Sequence, residues 1–490
     1  MRLSELIAGL PIEAAGSAPE LEIRGVTHDS RAVAPGDLFV AMAGERHDGR
    51  AFAHDAVARG AVAVLGSGGS GAALADLPVP WLATAAPRSL LGALASRAYG
   101  HPDRELILAG VTGTNGKSTV ATLIAAILEV ATGKPAGFIG TLGYRLSGHP
   151  FPGDRTTPEA SDLFRTLRQM RDGGAAGVAM EVSSHALELG RVEGAEFDAG
   201  IFTNLTRDHL DFHGDMEGYY TAKRRLFDHL KPSGRAVVNL DDPYGRRLAM
   251  EIPGALTYGE GGEVAPEAVA LGTSGTRATL ATPRGELSFV SPLLGRFNLE
   301  NLLAAAAGAE ALGLPHAAIA AAFAAQRPIA GRMEPVDRGQ PFPVFIDYAH
   351  TDAALTAALR SVRELSRGKV AVVFGCGGER DPGKRPVMGK VAGELADLPI
   401  ATSDNPRRED PDAILRAVEA GLQESGNREY RVVPDRRQAI RSAVQAAEEG
   451  WAILVAGKGH EETQDLGGRK IPFSDRDEIA RALEERFGTV

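Results

Sequence analysis

The sequence predicts a multidomain α/β protein, and three observations support this class. The chain has 490 residues, which is more than one compact domain usually contains. Apolar runs of strand length alternate with segments whose apolar residues recur at helical spacing. Several of these runs end in polar or glycine-rich clusters, as strands of open α/β sheets do where ligands bind. We therefore expect about three domains, each with its own core.

Composition and charge narrow the classes of function. The net charge of −10 argues against a general binder of nucleic acid or anionic membranes, although local basic pockets for phosphate remain compatible with it. The single cysteine, Cys376, excludes an intramolecular disulfide and a multi-cysteine zinc site. The most apolar stretch, residues 302–325, is interrupted by Gly, Glu and Pro, and no export signal is visible. We expect a cytoplasmic protein that does not insert into membranes.

Residues 1–100 predict a small α/β domain. The runs LEIRGVTHDSR, DLFVAMAG, AVAVLG and PWLAT have strand character, and AFAHDAVARGA has helical periodicity. Residues 101–328 predict the central domain, which begins with the strand RELILAGV, the loop TGTNGKS and the helix TVATLIAAILEVA. Further strands are GVAMEV and DAGIFTNL, and a helix is expected from about Met216 to Leu230.

The end of the central domain changes character before a third domain begins. Short strands with turn residues between 255 and 290 predict an antiparallel edge, and a helix follows over 298–312. After the break at 326–328, residues 329–490 contain four strand runs, FPVFIDY, KVAVVFG, LPIATSD and WAILVAG, separated by helical segments. All four runs are followed by chemically capable side chains, so the carboxyl ends of this sheet predict a binding site.

The segment Gly113 to Thr119 predicts a nucleoside triphosphate site. It lies between a strand and a helix, where backbone N–H groups and the positive end of the helix dipole face an anion. Lys117 would neutralise terminal phosphates, and the hydroxyl of Ser118 or Thr119 can hold Mg²⁺. Val111 stands where the common eight-residue pattern has glycine, so the shorter GxxGKS form applies.

Three further residues are candidates for metal chemistry. Glu181 closes a strand, from where a carboxylate would reach a magnesium ion on the phosphates. His209 follows another strand, and Lys223 lies on an amphipathic helix. Each residue alone has an ordinary structural interpretation: a capping or solvated glutamate, a structural histidine, and a surface lysine.

Twelve motifs occur in one order along the chain: DSR, GTNGKST, TTP, MEVSSHAL, FTNLTRDHLDFHG, YYxAK, GRFNxxN, GRME, DYAHT, GGERDPGKRP, DNPR and GKGHE. This ordered set resembles the Mur ligase family from about residue 25 to 475. The resemblance implies the three-domain Mur ligase architecture, with a UDP-binding N-terminal domain, a central P-loop ATPase-like domain and a C-terminal Rossmann-like domain that binds the amino acid.

The resemblance also implies an activity. It indicates an ATP-dependent amide ligase that adds meso-2,6-diaminopimelate to the D-glutamate γ-carboxylate of UDP-N-acetylmuramoyl-L-alanyl-D-glutamate, through an acyl phosphate, in peptidoglycan precursor synthesis. The implied catalytic residues are Lys117, Lys223, His209 and Glu181. The implied ATP contacts are Gly113, Thr114, Asn115, Gly116, Lys117, Ser118, Thr119, Asn301, Arg332 and Asp347. The implied Mg²⁺ ligands are Ser118, Glu181, His209 and Lys223, the last as a CO₂-derived carbamate.

Two further sets of residues match substrate contacts of the family. Those for the UDP-linked acceptor are His28, Ser30, Thr156, Thr157, Ser183 and Arg191. Those for diaminopimelate are Arg380, Asp404, Asn405, Pro406, Arg407, Gly457 and Glu461. Arg407 is the residue expected to select diaminopimelate over lysine as the substrate. Its guanidinium presents a planar fork to the extra carboxylate of diaminopimelate, and lysine has no such carboxylate.

The sequence departs from the family pattern at a few positions and leaves alternatives open. Asp352-Ala353 replaces the usual Pro-Asp after DYAHT, and the uridine-side loop Glu45–His47 differs, so its contacts are not assigned. Within the family, an L-lysine-adding ligase is the nearest alternative, and folylpolyglutamate synthase is more distant because it lacks the uridine-binding domain. From another class, a nucleotide-dependent switch would bind ATP without forming an amide. We expect a monomer.

Overall fold

The computed structural model describes residues 1–14, 20–44, 48–68, 74, 76–153 and 155–488. The loop Glu45–His47 lies outside these residues. Contacts divide the chain into two compact units: the first comprises residues 1–112, 124–202 and 221–237, and the second 113–123, 203–220 and 238–490. The domain limits predicted from the sequence, 1–100, 101–328 and 329–490, stay a prediction. None of the described helices is long and apolar enough to cross a membrane.

The N-terminal part of the first unit contains the small α/β sheet that its strand runs predict. Its elements are α1 (Leu3–Ile7), β1 (Glu13–Ala14), β2 (Gly25–Thr27), β3 (Asp37–Ala41), α2 (Ala53–Ala58), β4 (Ala63–Ser67), β5 (Trp81–Thr84), α3 (Pro87–Ala98) and α4 (Pro102–Glu105). The strand order among the described residues is β1-β5-β4-β3-β2, with β2 to β5 parallel. All five residues of β3 are buried. This is expected for a parallel strand whose sheet is covered on both faces, and it explains the nearly continuous apolar run in the sequence.

A second sheet carries the phosphate loop. Its elements are β6 (Ile107–Thr112), α5 (Lys117–Thr132), β7 (Ala136–Ile139), β8 (Tyr144–Leu146), β9 (His149–Phe151), α6 (Ala160–Asp172), β10 (Gly177–Glu181), α7 (Ser184–Glu188), β11 (Phe197–Phe202), α8 (Leu210–His213), α9 (Met216–Arg224) and β12 (Leu230–Asn239). In the first unit, β6 pairs in parallel with β10 and β11, and β10 with β7. The register sets Glu181 of β10 opposite Val111 of β6, so both strands end at the same edge.

The predicted helical stretch over 216–230 is confirmed in extent, but its last turns are a 3₁₀ helix. The α-helix α9 ends at Arg224, and residues Arg225–His229 continue as a 3₁₀ helix. Leu226 and Phe227 are buried in that segment. A 3₁₀ helix has 3.0 residues per turn and an α-helix has 3.6. Over only five residues both place the same apolar side chains on one face, so the sequence pattern does not distinguish the two kinds of helix.

The predicted edge is divided between two sheets among the described residues. Leu256–Tyr258 forms the edge strand of the sheet that carries the phosphate loop, beside β12, and the three strands that follow form a separate antiparallel sheet. The second unit continues with these strands and with helices. Its elements are α10 (Pro243–Glu251), β13 (Leu256–Tyr258), β14 (Ala265–Gly272), β15 (Gly275–Ala281), β16 (Leu287–Ser291), α11 (Arg296–Ala311) and α12 (His316–Ala325). Strands β14, β15 and β16 pair in sequence order. The predicted helix over 298–312 is confirmed as α11, which begins two residues earlier.

The C-terminal sheet confirms all four predicted strands. Its elements are β17 (Glu334–Pro335), β18 (Val344–Asp347), α13 (Asp352–Leu365), β19 (Val370–Phe374), α14 (Lys384–Leu395), β20 (Leu398–Ala401), α15 (Pro411–Glu424), β21 (Arg431–Val432), α16 (Arg436–Ala446), β22 (Ala452–Ala456), β23 (Thr463–Leu466), β24 (Arg469–Pro472) and α17 (Asp475–Phe487). The order among the described residues is β17-β18-β22-β19-β20-β21, and β18, β22, β19 and β20 are parallel.

Helix α13 begins at Asp352-Ala353, the two residues that replace the usual Pro-Asp of the family pattern. Thr351 caps the helix, because its hydroxyl oxygen accepts a hydrogen bond from the N–H of Ala354 at 3.2 Å. Leu355, Leu359 and Val362 recur at helical spacing and are fully buried in the core of this sheet. The helix therefore begins at Asp352 without the usual proline.

Candidate functional site

The phosphate loop has the geometry that the sequence predicts. It connects β6 to α5, and α5 begins at Lys117. Gly116 has a φ of 86°, and a Cβ there would lie 2.3 Å from Oδ1 of Asn301. Only glycine fits this position, because a side chain would be strained and would displace the asparagine. Asn301 is itself held by Asn298, whose Oδ1 accepts from its Nδ2 at 3.1 Å.

Residues of the TNLT segment hold the loop from behind. Asn204 accepts from the N–H of Asn115 through Oδ1 at 2.9 Å and from the N–H of Thr114 through its backbone oxygen at 2.9 Å. The N–H of Thr206 donates to Oγ1 of Thr114 at 3.0 Å. The family resemblance implies a role for His209 in the same motif, but none for Asn204 or Thr206. The polar residues of this segment immediately after a strand were the available signal.

Two cations converge on the phosphate loop within the second unit. Nζ of Lys117 donates to the backbone oxygens of Gly113 and Thr114 at 2.9 and 2.8 Å. Nη2 of Arg332 donates to Oγ of Ser118 at 3.0 Å, and its guanidinium lies 5.0 Å from the ring centroid of Tyr348. The buried Nε of Arg332 has no hydrogen-bond partner among the described residues. Two positive side chains therefore lie at the N-terminal end of α5, which suits an anion.

Asp347 fixes the segment that carries Arg332. It closes β18 and is buried, and its oxygens accept from the N–H groups of Met333 and Ala349, each at 2.8 Å. Burial raises the pKa of Asp347 above its ordinary value, although Arg332 and these two donors favour the charged form. The structure thus brings Arg332 and Asn301 to the phosphate loop, and Asp347 fixes the backbone beside Arg332.

His209 lies in a polar cluster that the sequence analysis did not foresee. The residue has a left-handed φ of 53°, and its Nε2 lies 3.4 Å from Oδ2 of Asp208. Nε2 of His350 is 3.8 Å from the same oxygen, and Lys384 donates to the backbone oxygen of His350 at 2.8 Å. Burial opposes ionisation of Asp208, but the neighbouring His209, His350 and Lys384 outweigh it, so the pKa of Asp208 is lowered.

The other two predicted metal ligands belong to the first unit. Oε1 of Glu181 accepts from the N–H and the hydroxyl of Thr141, both at 2.9 Å. Lys223 on α9 is 1% exposed. Among the described residues, no group of three or more His, Cys, Asp or Glu side chains is arranged to hold a metal ion. The metal site shared by Ser118, His209, Glu181 and Lys223 therefore stays a prediction.

Three of the predicted acceptor residues, Thr157, Ser183 and Arg191, are connected by hydrogen bonds in the first unit. Arg191 also contacts a buried carboxylate, Glu159. Thr157 donates to the backbone oxygen of Glu181 at 2.9 Å and accepts from the N–H of Ser183 at 3.1 Å. Arg191 forms an ion pair with Glu159 at 2.9 Å, and Arg155 and Arg88 pair with the same carboxylate at 2.8 and 3.2 Å. Three arginines against one carboxylate leave excess positive charge, which favours an anionic ligand.

The other predicted acceptor residues, His28, Ser30 and Thr156, belong to the same unit, and His28 interacts electrostatically with Glu159. Nδ1 of His28 and Oγ of Ser161 are 2.9 Å apart, and burial lowers the pKa of His28. Ser30 begins a 3₁₀ turn that Asp29 caps. Thr156 is half-buried and directly precedes Thr157. The predicted contact of His28 with the UDP-linked acceptor stays a prediction. In the structure, the His28 ring lies within hydrogen-bond distance of the Ser161 hydroxyl.

The predicted amino-acid residues meet at the carboxyl ends of the C-terminal strands. Arg407 has a φ of 52°, and its Nη1 donates to the backbone oxygen of Gly378. Nδ2 of Asn405 donates to Oε2 of Glu461 at 2.8 Å. A Cβ at Gly457 would lie 2.6 Å from Oδ2 of Asp404, so glycine lets the carboxylate approach this strand end. Pro406 is buried between Asn405 and Arg407, whereas Arg380 is exposed.

Comparison with known proteins identifies the family. Three family profiles match the chain: "Mur ligase family, catalytic domain" over residues 22–99, "Mur ligase middle domain" over 111–309, and "Mur ligase, glutamate ligase domain" over 331–459. The chain belongs to the Mur ligase family. The predicted fold class, the three-domain α/β architecture of these ligases, is thereby confirmed.

Individual relatives agree with this assignment. The chain is 44% identical to a UDP-N-acetylmuramoyl-L-alanyl-D-glutamate--2,6-diaminopimelate ligase of Geobacter metallireducens, over 99% of each chain. It is 45% identical to a protein of the same name from Gloeobacter violaceus, also over 99% of each. A solved structure of a ligase with that name superposes with a TM-score of 0.69 at 33% identity, covering 99% of each chain.

Proposed function

We propose that this protein is the ATP-dependent ligase that joins meso-2,6-diaminopimelate to the D-glutamate γ-carboxylate of UDP-N-acetylmuramoyl-L-alanyl-D-glutamate. The relatives named for this reaction match the chain from end to end. The observation that carries the choice of amino acid is the position of Arg407 at the strand ends of the C-terminal sheet, where its Nη1 donates to the backbone oxygen of Gly378. Asp404 and Glu461 belong to the loops that follow β20 and β22 of the same sheet. The non-reacting end of diaminopimelate carries a carboxylate and an ammonium group. The Arg407 guanidinium could bind the carboxylate, and the Asp404 and Glu461 carboxylates could bind the ammonium.

The reaction proceeds in two steps. The γ-carboxylate of the acceptor attacks the terminal phosphorus of ATP, which forms an acyl phosphate and releases ADP. The neutral amine of diaminopimelate then attacks the acyl carbon, phosphate leaves, and the amine loses a proton. A carboxylate alone is a poor electrophile, and the phosphate provides the leaving group. Lys117 and Arg332 offset the negative charge that gathers when two anions meet.

The donor set fits magnesium. Ser118 and Glu181 offer oxygen, His209 offers nitrogen, and Lys223 would offer oxygen as a carbamate. With no preformed cluster of three ligands among the described residues, phosphate oxygens and water would complete the coordination of Mg²⁺. Bound magnesium would neutralise phosphate charge. Lys223 is 1% exposed, and as a carbamate it would offer magnesium an anionic oxygen in place of a positive charge.

Substituting Arg407 tests the choice of amino acid. Arg407→Ala should raise the KM for diaminopimelate at least about tenfold, because a hydrogen bond to a charged group contributes about 1.5–3 kcal/mol. The KM for ATP should stay near that of the wild type. Steady-state kinetics with each substrate varied measures both, and Arg408→Ala, at the exposed neighbouring position, is the control. Equal increases in both KM values would contradict the role of Arg407.

Glu159 should affect the acceptor instead. Glu159→Gln keeps the size of the side chain but removes the charge that holds Arg191, Arg155 and Arg88. We expect the KM for the UDP-linked acceptor to rise about three- to tenfold, since neutral hydrogen bonds have about half the strength of charge-assisted ones. Glu105→Gln removes an exposed ion pair with Arg171 in the same unit and is the matched control. An unchanged acceptor KM would show that Glu159 does not position Arg191.

A competition assay separates this proposal from the alternatives. ATP, the UDP-linked dipeptide and equimolar lysine and diaminopimelate are mixed, and the product is analysed by mass spectrometry. Diaminopimelate should be incorporated; incorporation of lysine would identify the L-lysine-adding ligase instead. ATP binding without ADP release that depends on both other substrates would identify a nucleotide-dependent switch. The substrates are soluble metabolites, so we also propose that the protein acts in the cytoplasm as a monomer.

A further inference from the structure

Lys458 is a buried cation two residues after the end of β22. Its side chain is 0% exposed, although lysine is among the residues least often buried completely. A buried ammonium requires partners that compensate for its lost hydration. None of the roles described above uses this lysine, so its position calls for an explanation of its own.

The partners of Lys458 are two predicted contacts of the amino acid. Nζ donates to Oδ1 of Asn405 and to Oε2 of Glu461, each at 3.0 Å. Nδ2 of Asn405 donates to the same Oε2 at 2.8 Å, and the N–H of Asp465 donates to Oδ1 of Asn405 at 2.9 Å. These contacts fix the orientation of the asparagine amide, because its oxygen accepts two hydrogen bonds and its nitrogen donates to the glutamate.

The two oxygens of Glu461 consequently differ. Oε2 accepts from Lys458 and Asn405, whereas no described residue donates to Oε1. The side chain of Glu461 is 32% exposed, so solvent or a ligand reaches it. A carboxylate held through one oxygen keeps the other available for an external donor.

Asp404 is a second carboxylate at this site, so the site needs positive charge to compensate for two negative side chains. Oδ2 of Asp404 is buried without a hydrogen-bond partner among the described residues, close to Gly457. Arg436, buried in an ion pair with Asp475 at 2.7 Å, interacts electrostatically with both Asp404 and Glu461. The site therefore contains two carboxylates supported from within the fold by cations, and Lys458 is the cation that touches one of them.

We propose that Lys458 is a positioning residue for the incoming amino acid. It acts through Glu461 and Asn405, and holds the Glu461 carboxylate in the orientation that accepts the ammonium group at the non-reacting end of diaminopimelate. Lys458 itself does not touch the substrate. This inference rests on the proposed function, since it concerns the same amino-acid site.

A double-mutant cycle tests this role. Lys458→Met should raise the KM for diaminopimelate about tenfold while kcat and the KM for ATP change less than about twofold. In the Glu461→Gln background, the same substitution should change the diaminopimelate KM less than about twofold, because the partner through which Lys458 acts is already altered. Lys470→Met, at an exposed position on β24, is the matched control and should behave as the wild type.

The outcomes are distinct. An unchanged diaminopimelate KM in Lys458→Met, fully additive effects in the cycle, or an equal loss for ATP and diaminopimelate would overturn the positioning role while leaving the proposed function intact. If the methionine variant does not fold, Lys458→Gln, which keeps a donor in the cavity without the charge, takes its place in the same cycle. A wild-type protein that does not ligate diaminopimelate would overturn the proposed function, and this inference with it.

Discussion

Lys117→Ala should lose ATP turnover by about a thousandfold or more, because it removes the cation that would neutralise the phosphate charge developing in phosphoryl transfer. Nζ of Lys117 lies within the loop, where it donates to the backbone oxygens of Gly113 and Thr114. The positive charge is therefore held at the predicted phosphate site. ADP release, measured with the acceptor and diaminopimelate both present, gives the rate.

The control for this substitution is Lys134→Ala. Lys134 is exposed and lies just beyond the end of α5, the helix that Lys117 begins. The Lys134→Ala variant should retain wild-type activity. This would show that the loss of a positive charge near this helix is not by itself enough to abolish ATP turnover. Circular dichroism should show the same fold for both variants. Wild-type-like turnover by Lys117→Ala would refute the assignment of the phosphate loop.

Lys223→Ala should lower kcat by about a hundredfold or more, and a small carboxylate such as acetate should restore part of the activity. The substitution leaves a space at a position that is 1% exposed in the native protein. A carboxylate entering that space would supply the negative oxygen that the carbamate provides for magnesium, which the ammonium form of lysine would repel. Activity is measured against acetate concentration at constant ionic strength.

Two further measurements distinguish a carbamate from a structural lysine. Intact-protein mass spectrometry or NMR after incubation with isotope-labelled bicarbonate should detect the modification in the wild type and not in Lys223→Ala. Arg224→Ala is the neighbouring control on α9, where it removes a 3.4 Å ion pair with Asp228, and acetate should not stimulate it. Normal turnover by Lys223→Ala would disprove the carbamate role.

Contiguous features were predictable from the sequence. The phosphate loop, its preceding strand and its following helix are local, and the structure confirms them as β6, residues 113–116 and α5. The four strands of the C-terminal sheet were equally clear, because short apolar runs bounded by polar clusters are typical of buried parallel strands. The start of α13 was not predictable from the departing residues, but Thr351 supplies the cap.

Contacts between distant segments were not predictable in this way. Arg332 and Ser118 are 214 positions apart, and their hydrogen bond depends on the folding of the second unit. The convergence of Arg88, Arg155 and Arg191 on Glu159 is another such contact, since each arginine alone has the pattern of an ordinary surface residue. The assignments that the family resemblance implies for the ligand contacts of these residues stay predictions.

By itself, the sequence determined the α/β class, the phosphate loop and the family, because these depend on residue periodicity, on glycine spacing and on motifs in a fixed order. Only the tertiary structure decided which side chains support the binding residues. Lys458, Asn405 and Glu461 come together because strands β20 and β22 end at the same edge of one sheet. Burial there makes each unmet hydrogen bond costly, so the polar side chains pair with one another.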